Sequence, residues 1–430
     1  MMTQVIIIFV LVLFLAIFLG FPTAYALGIV TLIFIFIERG FDFSSALVAI
    51  PVVKAVDNFT LLAVPFFILV GKLMNESGLT ERLFGFALKF VGHLSGGLAH
   101  VNILASMIFA GMSGAAMADA GGLGAIEYKA MKEEGYEPKF SAGVTLGSAL
   151  IGPIIPPSIP VLIYASLTEI SATGLLMAGL LPGILMGIVL MIIVCIYAVK
   201  RHYPKKPRAS IREMLNAFRR AFLTLLTPVL LVGGIASGIF TATEASAIAS
   251  LYLLLIVLFV YRTVGLKKLN YVFRAVIRDT ATVMFLLAMA MFYGWMLTRM
   301  RIPAAILESL LNISENPYIV VFMVIVFLLL LGCFLSPGVS VLIIAPIIAP
   351  IGVTLGFHPL HFGIIVLIAM EIGTSTPPVG ASLYALTQVT GVPIETISKG
   401  VIPFILGVLG VIILVLFIPK IALFVPGLIN

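Results

Sequence analysis

Residues 151–160 read IGPIIPPSIP, and residues 372–381 read IGTSTPPVGA. In both, consecutive prolines with glycine and hydroxyl neighbours interrupt a stretch that is otherwise strongly apolar. Proline removes a backbone donor and disfavours helix in the residue before it. The spacing therefore predicts helix to about Gly152 that resumes near Ser158, and helix to about Gly373 that resumes near Pro378. Unpaired backbone is costly in hydrocarbon and survives only inside protein or beside a polar cavity. The freed carbonyls, with the hydroxyls of Ser158, Thr374, Ser375 and Thr376, are oxygen ligands of the kind a small hard cation accepts. The N-terminus of each resumed half-helix carries partial positive charge that suits a carboxylate. Pro156 and Ser158 at the first break, with Ser375 and Pro377 at the second, are the candidate substrate-binding residues. A plain proline kink would account for one break; two at matched places favour a binding site.

Ahead of each break lies a second unusual stretch. Residues 104–128 have apolar arms too short to span singly and a tip of small residues that holds Asp119; residues 327–353 repeat the plan around FLSPGVS. Both read as re-entrant hairpins whose tips meet near the midplane, the first entering from the cytoplasmic side and the second from outside. A carboxylate at the bilayer centre costs ~2.5–3.5 kcal/mol, so Asp119 reads as a cation partner beside Ser113, against the alternative of a helix-capping acid. Glu371 has the same ambiguity, whereas Glu169 and Glu244 are placed near the outer surface. His358 and His361 have helical spacing but no evident third ligand, which favours a structural role. Cys195 and Cys333 both fall in apolar segments and read as ordinary buried cysteines rather than a metal pair or disulfide. No G-x-x-x-x-G-K-[ST], G-x-S-x-G or H-E-x-x-H occurs, which argues against an ATP site on this chain and against the common hydrolase and metalloprotease classes.

These residues need elements to hold them, and the composition says which. The chain has 430 residues, 62% hydrophobic and 10% charged, with a mean hydropathy of +1.24. Apolar runs near bilayer length recur throughout, beginning with VIIIFVLVLFLAIFLG at 5–20. The reading is an all-α polytopic membrane protein. The net charge of +7 sits in short loops and is an orientation signal, not a nucleic-acid surface. Basic loops at 200–220 and 261–278 bracket two spans, so both fall on one side, taken as cytoplasmic. Matched segments recur at offsets close to 220 residues, the signature of an internal duplication. Counting spans from the basic loop puts both termini outside, so the halves are inverted relative to each other, an arrangement typical of secondary transporters. The segment 43–56 reads as an amphipathic helix in the outer interface.

At these residues the sequence resembles the large membrane subunit of tripartite ATP-independent periplasmic (TRAP) transporters. The matching stretches are FTLLAVPFFILVGKLMNESGL (59–79), FAGMSGAAMADAGGLG (109–124), GPIIPPSIPVLIYA (152–165), AGLLPGIL (178–185), HPLHFGIIV (358–366) and IGTSTPPVG (372–380). They occur in order from about residue 5 to 425. The resemblance implies sodium-coupled import of a carboxylate, of the sialic acid or C4-dicarboxylate class, in the bacterial inner membrane. It implies two partners, a small four-helix membrane subunit and a soluble periplasmic substrate-binding protein. It further implies an elevator in which a transport domain slides against a scaffold. On that plan residues 1–75 and 222–298 are scaffold, 76–170 and 299–391 are the two transport halves, 171–199 is a scaffold helix, 200–221 a cytoplasmic linker and 392–430 a C-terminal helix. One sodium site falls at Ser106, Gly111, Ser113, Asp119, Gly152 and Pro153, the other at Gly332, Ser336, Gly373, Thr374 and Thr376. Three positions depart from the family pattern. Ser113-Gly114-Ala115 loses one hydroxyl of the usual SGS, Ser336 stands where an acid is usual, and Thr374-Ser375-Thr376 gains hydroxyls. The gain suggests a hydroxyl-rich substrate such as sialic acid. The competing class is a cation channel, whose uptake would be uncoupled and conductive.

Overall fold

The computed structural model describes residues 2–40, 44–113 and 123–429, and no strand occurs among them. Helices α1 (Met2–Phe18), α2 (Thr23–Arg39), α3 (Ala46–Val56), α4 (Ala63–Ser77) and α5 (Leu79–Val91) come first. A hairpin follows, α6 (Gly97–Ser113) and α7 (Leu123–Glu133), then an interrupted helix, α8 (Pro138–Ala149) and α9 (Ile159–Thr168), and the long α10 (Ala172–Arg201). Beyond the basic linker come α11 (Ile211–Ala236), α12 (Ala242–Val260), α13 (Leu266–Arg299) and the short α14 (Ile302–Leu311). The order of hairpin, interrupted helix and long helix then recurs as α15 (Pro317–Gly332), α16 (Pro337–Thr354), α17 (Pro359–Thr374), α18 (Ala381–Thr390) and α19 (Ile394–Phe417).

Seven helices among the described residues are long and apolar enough to cross a membrane. The hairpin arms and half-helices are mostly shorter. The 16 residues of α15 extend only about 24 Å at 1.5 Å per residue, less than the roughly 30 Å of hydrocarbon. The 34 residues of α13 extend about 51 Å, well over that thickness. Helix starts follow local chemistry. Ser210 with Glu213 and Thr241 with Glu244 form capping boxes at α11 and α12, and Ser171 caps α10 through the Gly174 amide at 3.0 Å. Glu244 is thus engaged at an exposed helix start.

Ion pairs place the basic loops together. Lys89 meets Glu213 at 3.1 Å, Lys268 meets Glu76 at 3.1 Å and Lys72 meets Asp279 at 3.0 Å, so the 200–220 and 261–278 segments share one face with the ends of α4 and α5. Being exposed in part or in full, the pairs are weak and serve as markers of placement. The linker is fastened at its start. The Tyr136 hydroxyl donates to the Pro204 carbonyl at 3.1 Å, its ring stacks on Tyr203 at 4.6 Å, and the Lys206 amide donates to the Gly92 carbonyl at 3.0 Å. Burial pushes the Tyr136 phenol up to about 12, so it stays a donor at physiological pH.

Several expectations are corrected. The first helix ends at Ala149 rather than Gly152, because Pro153 has no N–H and the chain tightens into i→i+3 turns: Leu150, Ile151 and Gly152 donate to Gly147, Ser148 and Ala149 at 3.1–3.3 Å. The second half-helix resumes at Ala381, not near Pro378, since Gly380 has a left-handed φ of 54°. Cys195 is exposed on the flank of α10, whereas Cys333 is buried. Two long helices pack closely on the first interrupted segment. A Cβ on Gly143 of α8 would strike the Gly400 carbonyl of α19, and one on Gly183 of α10 would strike Ile155 in the first break. Helices α10 and α19 therefore lie directly on α8 and the break that follows it. His358 caps α17, accepting the Leu360 amide at 3.2 Å, and the buried His361 contacts the Val415 carbonyl at 2.7 Å, both structural uses.

Candidate functional site

One arm of each hairpin lies against the broken segment of its own half. In the first, a Cβ on Gly111 would lie 3.7 Å from the Pro156 carbonyl and 2.9 Å from Pro228 of α11. Pro228 begins a π-helical turn at Val229–Gly233, so the helix facing the hairpin is itself locally unwound. Ser106 on α6 donates to Ser148 on α8 at 3.2 Å. Gly152, Pro153 and Pro156 are all buried. Among the described residues no N–H or O–H reaches the carbonyls of Leu150 or Gly152. The Ser158 hydroxyl donates to the Pro153 carbonyl and accepts the Val161 amide at 3.3 Å. It therefore stitches the break shut and caps α9, which leaves less of it for a ligand. The Ser113 side chain and Asp119 lie outside the described residues.

In the second half, α15 and α17 touch backbone to backbone. A Cβ on Gly373 would lie 2.7 Å from the Gly332 Cα, and one on Gly332 would lie 2.8 Å from the Gly373 Cα. The Gly380 amide donates to the Cys333 carbonyl at 2.8 Å, which ties the break to the hairpin tip. The carbonyls of Thr374 and Thr376 both come within 3.1 Å of the position a Gly380 Cβ would take, and no described donor reaches either. The Thr376 hydroxyl donates to the Ile372 carbonyl at 2.8 Å and that of Thr374 to the Glu371 carbonyl at 2.8 Å. Both oxygens keep lone pairs for a cation. The Ser375 hydroxyl is buried with no described partner, a polar group that a ligand would satisfy. Ser336 starts α16 without capping it. The two breaks differ in one respect: residues 150–158 are buried, whereas Pro377, Pro378 and Val379 are exposed.

A cavity of about 910 Å³ opens between α3, α9, α13 and α16, lined by Ile50, Trp295, Pro346 and Pro350 among other mainly apolar residues. Pro156, Ser158, Ser375 and Pro377 do not line it. A smaller polar cavity of about 310 Å³ with Asp57, Asn58 and Ser166 shares Lys54 and Glu169 with it. Across this seam Lys54 of α3 meets Glu169 at the end of α9 at 3.7 Å, and Asn58 donates to Ser166 at 3.4 Å.

The sequence reading missed a buried polar row between α6 and α8. Asn102 donates to Thr145 at 2.8 Å, Ser148 donates to the Asn102 side-chain Oδ1 at 2.6 Å, and Thr145 donates to the Ser141 backbone carbonyl at 2.9 Å. The signal was available: polar residues at 102 and 106, and at 141, 145 and 148, share one face of two otherwise apolar helices.

Paired hairpins, paired interrupted helices and seven long apolar helices define a multi-spanning membrane transport protein. The chain belongs to the TRAP transporter family as its large permease: residues 10–421 match the family described as "Tripartite ATP-independent periplasmic transporter, DctM component". It is 40% identical over 411 residues, 96% of each chain, to the sialic acid TRAP transporter large permease protein SiaM of Vibrio cholerae. It is 38% identical over 379 residues, 88% of this chain and 89% of the other, to the C4-dicarboxylate large permease protein DctM of Pseudomonas aeruginosa. In fold it is similar to the crystal structure of the Alcanivorax borkumensis YdaH transporter, with a TM-score of 0.63 at 14% identity, covering 87% of this chain and 88% of that one. It is thus one component of a tripartite transporter, a permease and not an enzyme.

Proposed function

We propose that this permease imports a small carboxylate of the sialic acid or C4-dicarboxylate class across the bacterial inner membrane, driven by sodium. A soluble periplasmic protein delivers the substrate, and a small four-helix membrane subunit completes the permease. Both termini face the periplasm. The observation that carries the reading is the pairing of each hairpin with a proline-broken segment whose carbonyls lack donors. Sodium takes oxygen ligands, and each half supplies them: Ser106 with the Gly152 carbonyl, beside Gly111, Ser113, Asp119 and Pro153, in the first; the Gly332, Thr374 and Thr376 carbonyls, with Gly373 and Ser336, in the second. The substrate carboxylate sits between the breaks, near Pro156, Ser158, Ser375 and Pro377. Movement is of the elevator kind. The hairpins and broken helices slide along the seam marked by Lys54 and Glu169. The relatives named above supply the substrate classes, and the hydroxyl-rich second break favours sialic acid.

The test is uptake into proteoliposomes holding the full complex, with labelled sialic acid or succinate and an inward sodium gradient or choline in its place. Sodium-dependent, saturable uptake that falls to background in Asp119→Ala is expected. Conductive uptake indifferent to sodium would replace the reading with a channel. In the same assay, Ser375→Ala should cut sialic acid uptake at least about tenfold while leaving succinate uptake within about twofold, because a lost hydroxyl contact costs ~1–2 kcal/mol. Equal rates before and after would remove this hydroxyl from substrate selection.

A further inference from the structure

We infer that Asn102 and Ser148, to which no role has been assigned above, are positioning residues that set the proton direction at Ser106 so that its oxygen faces a cation. The inference rests on the first sodium site proposed above. The distances along the buried row support one donor order. The Ser141 carbonyl only accepts, so the Thr145 hydroxyl, 2.9 Å away, gives it its single proton. Thr145 must then accept from Asn102, whose Nδ2 is 2.8 Å away. That turns the Asn102 Oδ1 toward Ser148, and only an acceptor stands there: the Ser148 proton goes to it at 2.6 Å, with the Thr145 carbonyl as a second acceptor at 3.0 Å. With its proton committed, Ser148 accepts from Ser106 at 3.2 Å. Ser106, at the end of the row, has spent its only proton and retains both lone pairs.

All four side chains of the row are buried, and no other described donor competes for the Ser106 oxygen. Ser148 lies four residues before Gly152, whose carbonyl has no donor. The row thus delivers an oriented hydroxyl oxygen on α6, bonded across to a residue four positions before that bare carbonyl. Interhelical hydrogen bonds of this kind are worth roughly 0.6–2 kcal/mol to helix association, and helix adhesion alone is the competing explanation.

The experiment separates the two. The purified full-length chain is titrated with sodium chloride against choline chloride at constant ionic strength, following the sodium-induced shift of its thermal midpoint. Ser148→Ala should raise the half-saturating sodium concentration about tenfold, and Asn102→Ala by a similar factor. Thr145→Ser keeps every bond in the row and should match wild type. Adhesion alone predicts a lower midpoint in choline for Ser148→Ala with an unchanged half-saturating concentration, and that result overturns the inference. Ser106→Ala tests the site beneath it. If Ser106→Ala weakens sodium binding and Ser148→Ala does not, the orienting role fails and the site stands. If Ser106→Ala leaves sodium binding unchanged, the site itself fails and the inference with it. Where a variant does not survive purification, sodium protection against proteolysis in native membranes reads the same concentration.

Discussion

Gly373→Val is expected to abolish uptake, and Gly373→Ala to reduce it at least about tenfold, chiefly by raising the sodium needed for half-maximal rate. The argument is steric. A Cβ at 373 would lie 2.7 Å from the Gly332 Cα and 2.8 Å from the Leu329 carbonyl oxygen. Both obstacles are backbone, so no side chain can swing aside. Overpacking a site that retains some give costs typically ~1–3 kcal/mol; here relief requires α15 to move away from α17. That movement draws the Gly332 carbonyl away from those of Thr374 and Thr376 and strains the Gly380–Cys333 hydrogen bond. Gly410→Ala is the control. Nothing lies within 4 Å of its added Cβ, alanine is the better helix former, and uptake should be unchanged. Normal sodium affinity in Gly373→Ala would show that the close approach serves packing alone.

The second large effect is expected from fastening the seam. In a background of Cys195→Ser and Cys333→Ala, cysteines at Lys54 and Glu169 joined by a flexible bis-thiol reagent should lose nearly all uptake. Cleaving the reagent should restore it, and a one-armed reagent should leave uptake largely intact. The native ion pair is 73% exposed on both sides and therefore weak, so the arrest would come from the covalent tie rather than from loss of the pair. Full-rate transport by the linked protein would mean that α3 and α9 keep their relation through the cycle, which would move the sliding surface elsewhere.

Much of the architecture was legible because its causes are local. Proline pairs break helices wherever they stand, and helix resumes within a few residues of each. Asp119 stood out for its apolar surroundings alone. What escaped was set by partners far away in the chain. Gly332 and Gly373 are unremarkable until two helices meet there, and nothing near Gly143 announces Gly400. The three-residue error at Ala149 came from overlooking how far Pro153 reaches back. Asn102 and Ser148 escaped for a different reason: small polar residues on one face of an apolar helix do not say by themselves which helix they bond to.

The cavity at the seam has one further consequence. Trp295 is the single tryptophan of the chain; it lines that cavity, stacks with Phe292 and lies with the Arg299 guanidinium 5.7 Å from its ring. Indole emission from the isolated permease therefore originates at one point, on the surface along which the moving body is proposed to slide. Its wavelength reports the wetness of that surface and its quenching by added solutes reports access from water. The protein carries its own optical gauge of the gap, readable without a label.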